Sequence, residues 1–411
     1  MKSVGIIAEY NPFHNGHAYH IGESRKRTGA QCVVAVISGN FVQRGAPAVT
    51  DKFTRAHCAL VSGADLVLEL PTVYSTGSAE LFAAGAVSVL NGLNGISYIS
   101  FGSECHDLGA LVAAAGILAF ESDDFRSLLR KYVSSGMSMP AARQQAVQTL
   151  MGPSDFAAVF RSPNNILAIE YIKALKRSGS SISPVNIVRK DNSYHDKKLT
   201  GSISSATAVR QLIENGHPED AKTAIPPSVY SILQNNYGKK FPLNSDAFSS
   251  LINYAIEDKF DRIADFSDVG EALANKIRRY FKSPDRAFSF SDIAMAFKSK
   301  DITYTRICRA IIHILLDIDS DLISRIRNAG FPSYARILAS NETGRIFLSS
   351  VKEICTIPII SNCRRDFSKL DDVQESIFGY DLKATEIYNN IVRSRFGTQL
   401  KDDFRSRPLM L

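Results

Sequence analysis

The stretch that most constrains this chain is Ile6-Ile7-Ala8-Glu9-Tyr10-Asn11-Pro12-Phe13-His14-Asn15-Gly16-His17, where an apolar run meets two histidines bracketing an Asn-Gly pair. Ser3 to Ala8 is short and apolar, and reads as a buried strand. Asn11-Pro12 ends it, because proline bars the preceding residue from the helical region and lacks a backbone donor. From Asn15 onward, His17, His20, Ile21 and Ser24 fall at helical spacing, so a strand, a tight loop and a helix amino terminus follow in order. Such a succession builds an anion site. Unpaired N–H groups and the positive end of the helix dipole face whatever occupies the loop, and Gly16 lets it approach the backbone closely. The loop is expected to be polar and surface-facing.

Four more short, β-branched runs follow: Cys32 to Ser38, Leu66 to Leu70, Ile96 to Phe101 and Val185 to Arg189, each separated from the next by a helix-like segment. Near-continuous apolar runs suit parallel strands covered on both faces. The expected fold class is therefore α/β, a Rossmann-like doubly wound parallel sheet with ligands at the carboxyl ends of its strands. A helical insertion is expected over about 120–163. Past about Asn215 the strand-like runs stop and helical periodicity takes over, which divides the chain into an α/β domain, 1–214, and a mostly helical domain, 215–411.

Composition narrows the function classes. The 411 residues have room for two or three domains, and 45% hydrophobic with 22% charged residues describes an ordinary globular protein. The longest apolar run, Gly109 to Phe120, is too short to span a bilayer, and no signal-peptide pattern opens the chain, so a cytoplasmic protein without a membrane partner is expected. Six cysteines lie scattered without a C-x-x-C pair, which indicates neither a zinc site nor a disulfide framework; buried thiols are the default, and no metal-ligand cluster is identifiable. The net charge of +7 permits an acidic partner such as RNA. Nothing in the sequence sets an oligomeric state.

The loops after the strand-like runs carry the remaining candidates. Ser38-Gly-Asn-Phe-Val-Gln-Arg-Gly45 is either a solvated connection or, through Asn40, Gln43 and Arg44, an acceptor or acyl-group pocket; the helix from about Asp51 sets Phe53, Ala56, His57 and Leu60 on one face. In Phe101-Gly-Ser-Glu104, Gly102 is a turn glycine or removes a side chain that would block a nucleotide. Ser162-Pro163-Asn164-Asn165 opens a helix carrying Ile166, Ile169 and Ile172, where one asparagine can serve as the cap and the other can pair with an adenine edge or ribose. Beyond Arg189 come Tyr194-His-Asp196 and then Ile203-Ser204-Ser205-Ala-Thr-x-x-Arg210, whose serines are caps or phosphate ligands.

His14-x-Gly16-His17 resembles the HxGH signature of the class I nucleotidyltransferases and aminoacyl-tRNA synthetases, and Ile203-Ser-Ser-Ala-Thr-x-x-Arg210 resembles their second signature, ISSTxxR. With Glu9-Tyr-Asn-Pro-Phe-His-Asn-Gly-His17, Ser38 to Gly45, Phe101 to Glu104, Pro163-Asn-Asn-Ile-Leu167 and Tyr194-His-Asp196, the chain looks like a bacterial tRNA(Met) cytidine acetate ligase. The likeness continues more weakly through Thr303-Tyr-Thr-Arg-Ile307 and Tyr334-Ala-Arg-Ile-Leu338, and its one departure is Ala168, where the pattern has glycine. The resemblance implies acetylation of the wobble cytidine of elongator tRNA(Met) from acetate and ATP, through acetyl-adenylate with release of pyrophosphate. It implies that His14 and His17 are catalytic. It also implies an ATP site made of the run Ile7, Ala8, Glu9, Tyr10, Asn11, Pro12, Phe13, His14, Asn15, Gly16, His17, Ala18, Tyr19 and His20 with Gly102, Asn164, Arg189, Ser204 and Ser205. Mg2+ on the pyrophosphate is a chemical expectation.

Between Ala274 and Ala310 stand nine Lys or Arg against three acids, and Ile307, Ala310, Ile311, Ile314 and Leu315 form a buried stripe beside Arg306, Arg309 and His313. Lys276, Arg278, Arg279, Arg306 and Arg309 are accordingly candidates for tRNA binding, against the plainer reading of a solvated face. Two other functions stay open from the residues: a nucleotidyltransferase or acetate-activating ligase acting on a small metabolite or protein thiol, and a non-enzymatic RNA-binding module.

Overall fold

The computed structural model describes residues 1–152, 159–160, 162–189, 205–299 and 302–411. Its strands are β1 (Ser3–Ala8), β2 (Cys32–Ser38), β3 (Phe41–Val42), β4 (Ala46–Pro47), β5 (Leu66–Leu70), β6 (Tyr98–Ser103), β7 (Ser183–Val188), β8 (Ala335–Ser340), β9 (Ile359–Ile360) and β10 (Leu409–Met410). The main sheet runs β10-β8-β5-β2-β1-β6-β7 with β9 also on β8, while β3 and β4 form a separate antiparallel ribbon. From β5 to β7 every pairing is parallel, as expected of strands joined by crossover helices. After β5 the chain crosses β1 to begin β6, so the switch point lies between the carboxyl ends of β1 and β6.

Burial on both faces explains the continuous apolar runs. Along β2, Cys32, Val34 and Val36 enter one core and Val33, Ala35 and Ile37 the other, the period of two splitting a uniform run between two sides. The helices Ala79–Gly92, Leu108–Ala119 and Pro163–Arg177 cover the first face, and Asn15–Thr28, Lys52–Leu60, Ala206–Glu214 and Pro227–Asn236 the second. Within the range expected to be a helical insertion, Asp123–Ser134 packs on Met139–Met151, and residues 153–158 and 161 lie outside the described residues. No helix of the described residues is long and apolar enough to cross a membrane. All six cysteines are free thiols, with Cys105 and Cys355 only partly covered.

The expectation that strands stop past Asn215 is corrected by β8, β9 and β10. Fully buried β8 pairs antiparallel with β5, with a register shift between Val67 and Leu68, and carries β9 and β10 along its outer edge. Sequence periodicity missed β8 because Arg336 interrupts its apolar run. That arginine is 2% exposed, and its charge is absorbed inside the protein. Arg336 lies 3.0 Å from Glu69 and 2.8 Å from Asp403, while Lys52 lies 2.9 Å from each of the same carboxylates. The Thr385 hydroxyl completes the group, 3.0 Å from Lys52 and 2.8 Å from Asp403. Two cations and two carboxylates, all nearly inaccessible, thus join β5, β8, the helix Lys52–Leu60 and the segment around 403.

The face expected on that helix is also revised. Ala56 and Leu60 are buried as expected, but Lys52 and Arg55 are the deepest long side chains, and Phe53 and His57 are only partly covered. Removing one member of a buried ion cluster strands an uncompensated charge. Lys52→Met is therefore expected to lower the unfolding free energy by about 3–5 kcal/mol, seen as a reduced urea midpoint; an unchanged midpoint would show that the cluster holds nothing together.

Candidate active site

At the switch point β1 gives way to a loop that is far less polar than its sequence suggests. Tyr10 and Phe13 are each 1% exposed, with rings 4.8 Å apart, and the Tyr10 ring also packs 4.9 Å from His17. Tyr10 adopts φ +49°, a left-handed conformation unusual for an aromatic residue, and it turns the chain back over the sheet. Asn11 accepts from the Val49 amide at 2.8 Å, and its carbonyl takes a 2.6 Å hydrogen bond from Arg210. A surface-facing loop is thus corrected to one whose aromatic half belongs to the core and whose histidine half lines a cavity.

The first helix, Asn15–Thr28, is capped by the histidines themselves. His14 Nδ1 accepts from the Gly16 amide at 3.0 Å, His17 Nδ1 accepts from the His14 amide at 3.2 Å, and the two rings stack with centroids 3.8 Å apart. A neutral imidazole whose Nδ1 accepts must carry its proton on Nε2, so the cap fixes both tautomers. Burial first, then the charges of Arg189 and Arg210, hold His14 at about 3; burial, then His14, push His17 well below its ordinary 6.5; burial, then Arg189, hold His20 at about 4. Both motif rings are uncharged donors at neutral pH.

The cavity above them is lined by Ile7, Ala8, Glu9, Tyr10, Asn11, His14, Gly16, His17, Tyr19, His20, Gly102, Asn164, Arg189 and Ser205 among the expected residues. Pro12, Phe13, Asn15 and Ala18 are not in its lining: Phe13 and Ala18 pack into the core, and the Asn15 amide turns away to the Thr223 carbonyl at 2.9 Å. Ser204, and with it Tyr194, His195 and Asp196, lies outside the described residues. A Cβ on Gly102 would stand 3.5 Å from the Arg189 side chain, so the glycine widens the cavity where Arg189 borders it. Asn164 Nδ2 donates to Glu104 at 2.6 Å, and Arg189 lies 3.6 Å from the same carboxylate. Asn165 instead accepts the Glu104 and Cys105 amides at 3.0 and 3.1 Å, fixing the end of β6. The helix cap is Ser162, so neither asparagine takes that role. Ser205 caps the helix Ala206–Glu214 while lining the cavity.

Gln43 and Arg44 line the opposite side, the Gln43 amide donating to Glu9 Oε1 at 3.0 Å. Asn40 does not join them; it is buried, and its Oδ1 accepts from the Lys52 amide at 3.0 Å. Sequence reasoning left several residues out, among them one arginine in the cavity and one beneath it. Arg210 lines the cavity and was legible as the last residue of the second signature. Arg55 gave no local signal: 1% exposed, it donates to the carbonyls of Thr50 at 3.1 Å, Glu9 at 2.8 Å and Ser38 at 2.9 Å, and to that of Gly39.

In the helical half the apolar stripe Ile307, Ala310, Ile311, Ile314 and Leu315 is buried as expected. His313 is buried with it, each ring nitrogen 3.0 Å from a carbonyl, of Ser267 and of Thr76. Arg309 is mostly covered and forks onto Asp268 at 2.8 and 3.2 Å, Arg306 reaches the Asp268 carbonyl at 3.3 Å, and Arg278 donates to the carbonyls of Phe260 and Asp261. Lys276 and Arg279 lie on the helix Gly270–Phe281, Lys276 exposed and Arg279 outside its buried face.

A family model described as HIGH Nucleotidyl Transferase matches residues 1–403. The tRNA(Met) cytidine acetate ligase of Thermoanaerobacter sp. (strain X514) is 40% identical over 389 residues, 94% of this chain and 95% of that one. The protein of the same name from Clostridium perfringens (strain ATCC 13124) is 37% identical over 418 residues, 100% of both chains. Thermotoga maritima TmcAL, at 31% identity and full coverage of both chains, superposes with a TM-score of 0.94 in its apo crystal form and 0.91 in the form bound with alpha-thio ATP.

The histidine environment sets an acid limit on folding. His14 titrates near 6.5 when unfolded and near 3 when folded, so within that window the unfolded chain binds more protons and stability falls as pH drops. His14→Asn keeps a capping side chain but removes the titration. Between pH 6.5 and 4 the variant is expected to lose less stability than the parent, measured by denaturant midpoints; parallel losses would place the acid sensitivity elsewhere.

Proposed function

This chain belongs to the HIGH nucleotidyl transferases and, within them, to the tRNA(Met) cytidine acetate ligases, and from that membership we propose how its cavity works. The protein is an ATP-using ligase that forms N4-acetylcytidine at the wobble position of elongator tRNA(Met). Acetate attacks the α-phosphorus of ATP, giving acetyl-adenylate and pyrophosphate, and the cytosine amine then takes the acetyl group and releases AMP.

The observation that carries this reading is the pair of neutral, stacked imidazoles whose Nδ1 atoms are occupied by the helix cap. Each is left with one Nε2–H donor over a helix amino terminus, which suits phosphate oxygens gaining charge in the transition state. Arg189 and Arg210 add the positive charge, Gly102 and Asn164 border the adenosine, and Ser205 with the amides behind it meets the outer phosphates. No covalent enzyme intermediate is required; positioning and charge neutralisation suffice. Among the described residues no group of three or more His, Cys, Asp or Glu could hold a metal ion, and the side chains over the phosphate end are neutral imidazoles and guanidiniums. Mg2+, if it accompanies the nucleotide, would be held by ATP rather than by these side chains and would supply charge screening. The reaction belongs in the cytoplasm, where ATP and tRNA meet.

The helices beyond 215 grip the tRNA while the sheet edge receives the cytidine, turned out of its stack. Lys276, Arg279 and Arg306 supply the exposed charge, and Arg278 and Arg309 shape the surface from within it.

Two experiments test the reading. With ATP, acetate and elongator tRNA(Met), pyrophosphate release and N4-acetylcytidine are expected together. His14→Asn or His17→Asn is expected to slow turnover about 100- to 1,000-fold, and undiminished turnover would remove the imidazoles from the chemistry. Lys276→Glu combined with Arg279→Glu is expected to weaken tRNA binding and flatten its salt dependence by about two units of slope; an unchanged slope would move the tRNA surface elsewhere. Arg309→Glu is a poor probe, since it sets a carboxylate against Asp268.

A further inference from the structure

The cavity is electrically lopsided. His14, His17, Arg189 and Arg210 gather over the first helix, yet Glu9 lines the same cavity with a carboxylate. A carboxylate repels a triphosphate and accepts from an amine or hydroxyl, so Glu9 serves a group other than the phosphates. Its setting indicates which. Glu9 Oε1 accepts the Gln43 amide of the loop between β3 and β4, and no hydrogen bond reaches Oε2 among the described residues. Around it the cavity is walled by Phe82, Phe101, Leu167 and Tyr171, the rings of Phe101 and Tyr171 6.1 Å apart. Burial, then the Glu9 charge, push the Tyr171 phenol upward, which puts carboxylate and ring in one electrostatic neighbourhood. A partly apolar cavity with one oriented acceptor suits a planar base that presents N–H donors.

We propose that Glu9 is a catalytic residue for the second half of the reaction: Oε2 receives the exocyclic amine of the inserted cytosine and takes the proton that the amine sheds. This rests on the ligase reading above. In the step, the N4 lone pair attacks the carbonyl carbon of acetyl-adenylate, a C–N bond forms, the C–O bond to AMP breaks with its electron pair leaving on the phosphate, and one N4 proton passes to the Glu9 carboxylate and then to water. The same contact selects the base. Cytosine offers an amine to a carboxylate, whereas uracil would set a carbonyl oxygen against it.

The test is Glu9→Gln, which retains an acceptor for the Gln43 amide. Acetate-dependent exchange of pyrophosphate into ATP reads the first half-reaction, and acetyl transfer to elongator tRNA(Met) the second. Transfer is expected to fall by about 100-fold or more, at least about tenfold further than exchange, with Glu9→Asp intermediate in that gap. Exchange falling in step with transfer, or transfer surviving in Glu9→Gln, overturns the proposal. A parent protein lacking both activities would instead sink the ligase reading.

Discussion

Parallel strands that end side by side leave carbonyl oxygens with no ladder partner, and such groups must be satisfied if the region is to stay dry. Here one guanidinium does so. Arg55 collects the carbonyls of Glu9, Ser38 and Gly39 at the ends of β1 and β2, together with that of Thr50. Burial lowers its proton affinity, yet a guanidinium keeps its charge in a protein interior, stabilised by carbonyl dipoles. Everything at the site hangs from this grip, because it sets the motif loop and the ribbon β3–β4 at a fixed separation. The cavity between them is then a consequence of where β1 and β2 stop.

The ribbon is held from its other side by the helical half. Gly45, at φ +73°, lies so close to the helix Tyr304–Leu316 that a Cβ there would stand 2.2 Å from the Arg309 amide nitrogen. Only a residue without a side chain permits that approach. One turn on, His313 lies between the carbonyls of Ser267 and Thr76, each 3.0 Å from a ring nitrogen, and Arg309 clasps Asp268. The helices are thus fastened to the rim of the cavity.

Much of this was readable in the chain. The strands β1, β2 and β5 could be read to the residue because both-face burial demands unbroken apolar runs, and β6 and β7 lie within two residues of their expected positions. The first loop announced a strand, a turn and a helix amino terminus, and the structure gathers most of its residues around one cavity. What stayed hidden were charges whose partners are remote. Nothing near Lys52 or Arg336 shows that Glu69 and Asp403 await them, and Arg55 is satisfied by backbone oxygens, which leave no trace in a sequence pattern. The caps were hidden too, since a histidine that serves a helix through Nδ1 spells the same as one that does not.

The position of Asp403 bears on how the molecule is made. Its carboxylate is needed beside Lys52 and Arg336, and β10 lies along β8 from residues 409 and 410. Synthesis reaches β8 and Asp403 long after β5. Until β8 is made, β5 lacks its antiparallel neighbour and Lys52 has Glu69 without Arg336; between β8 and residue 403 both cations face Glu69 without Asp403, so the sheet keeps an open flank on this side late into its synthesis.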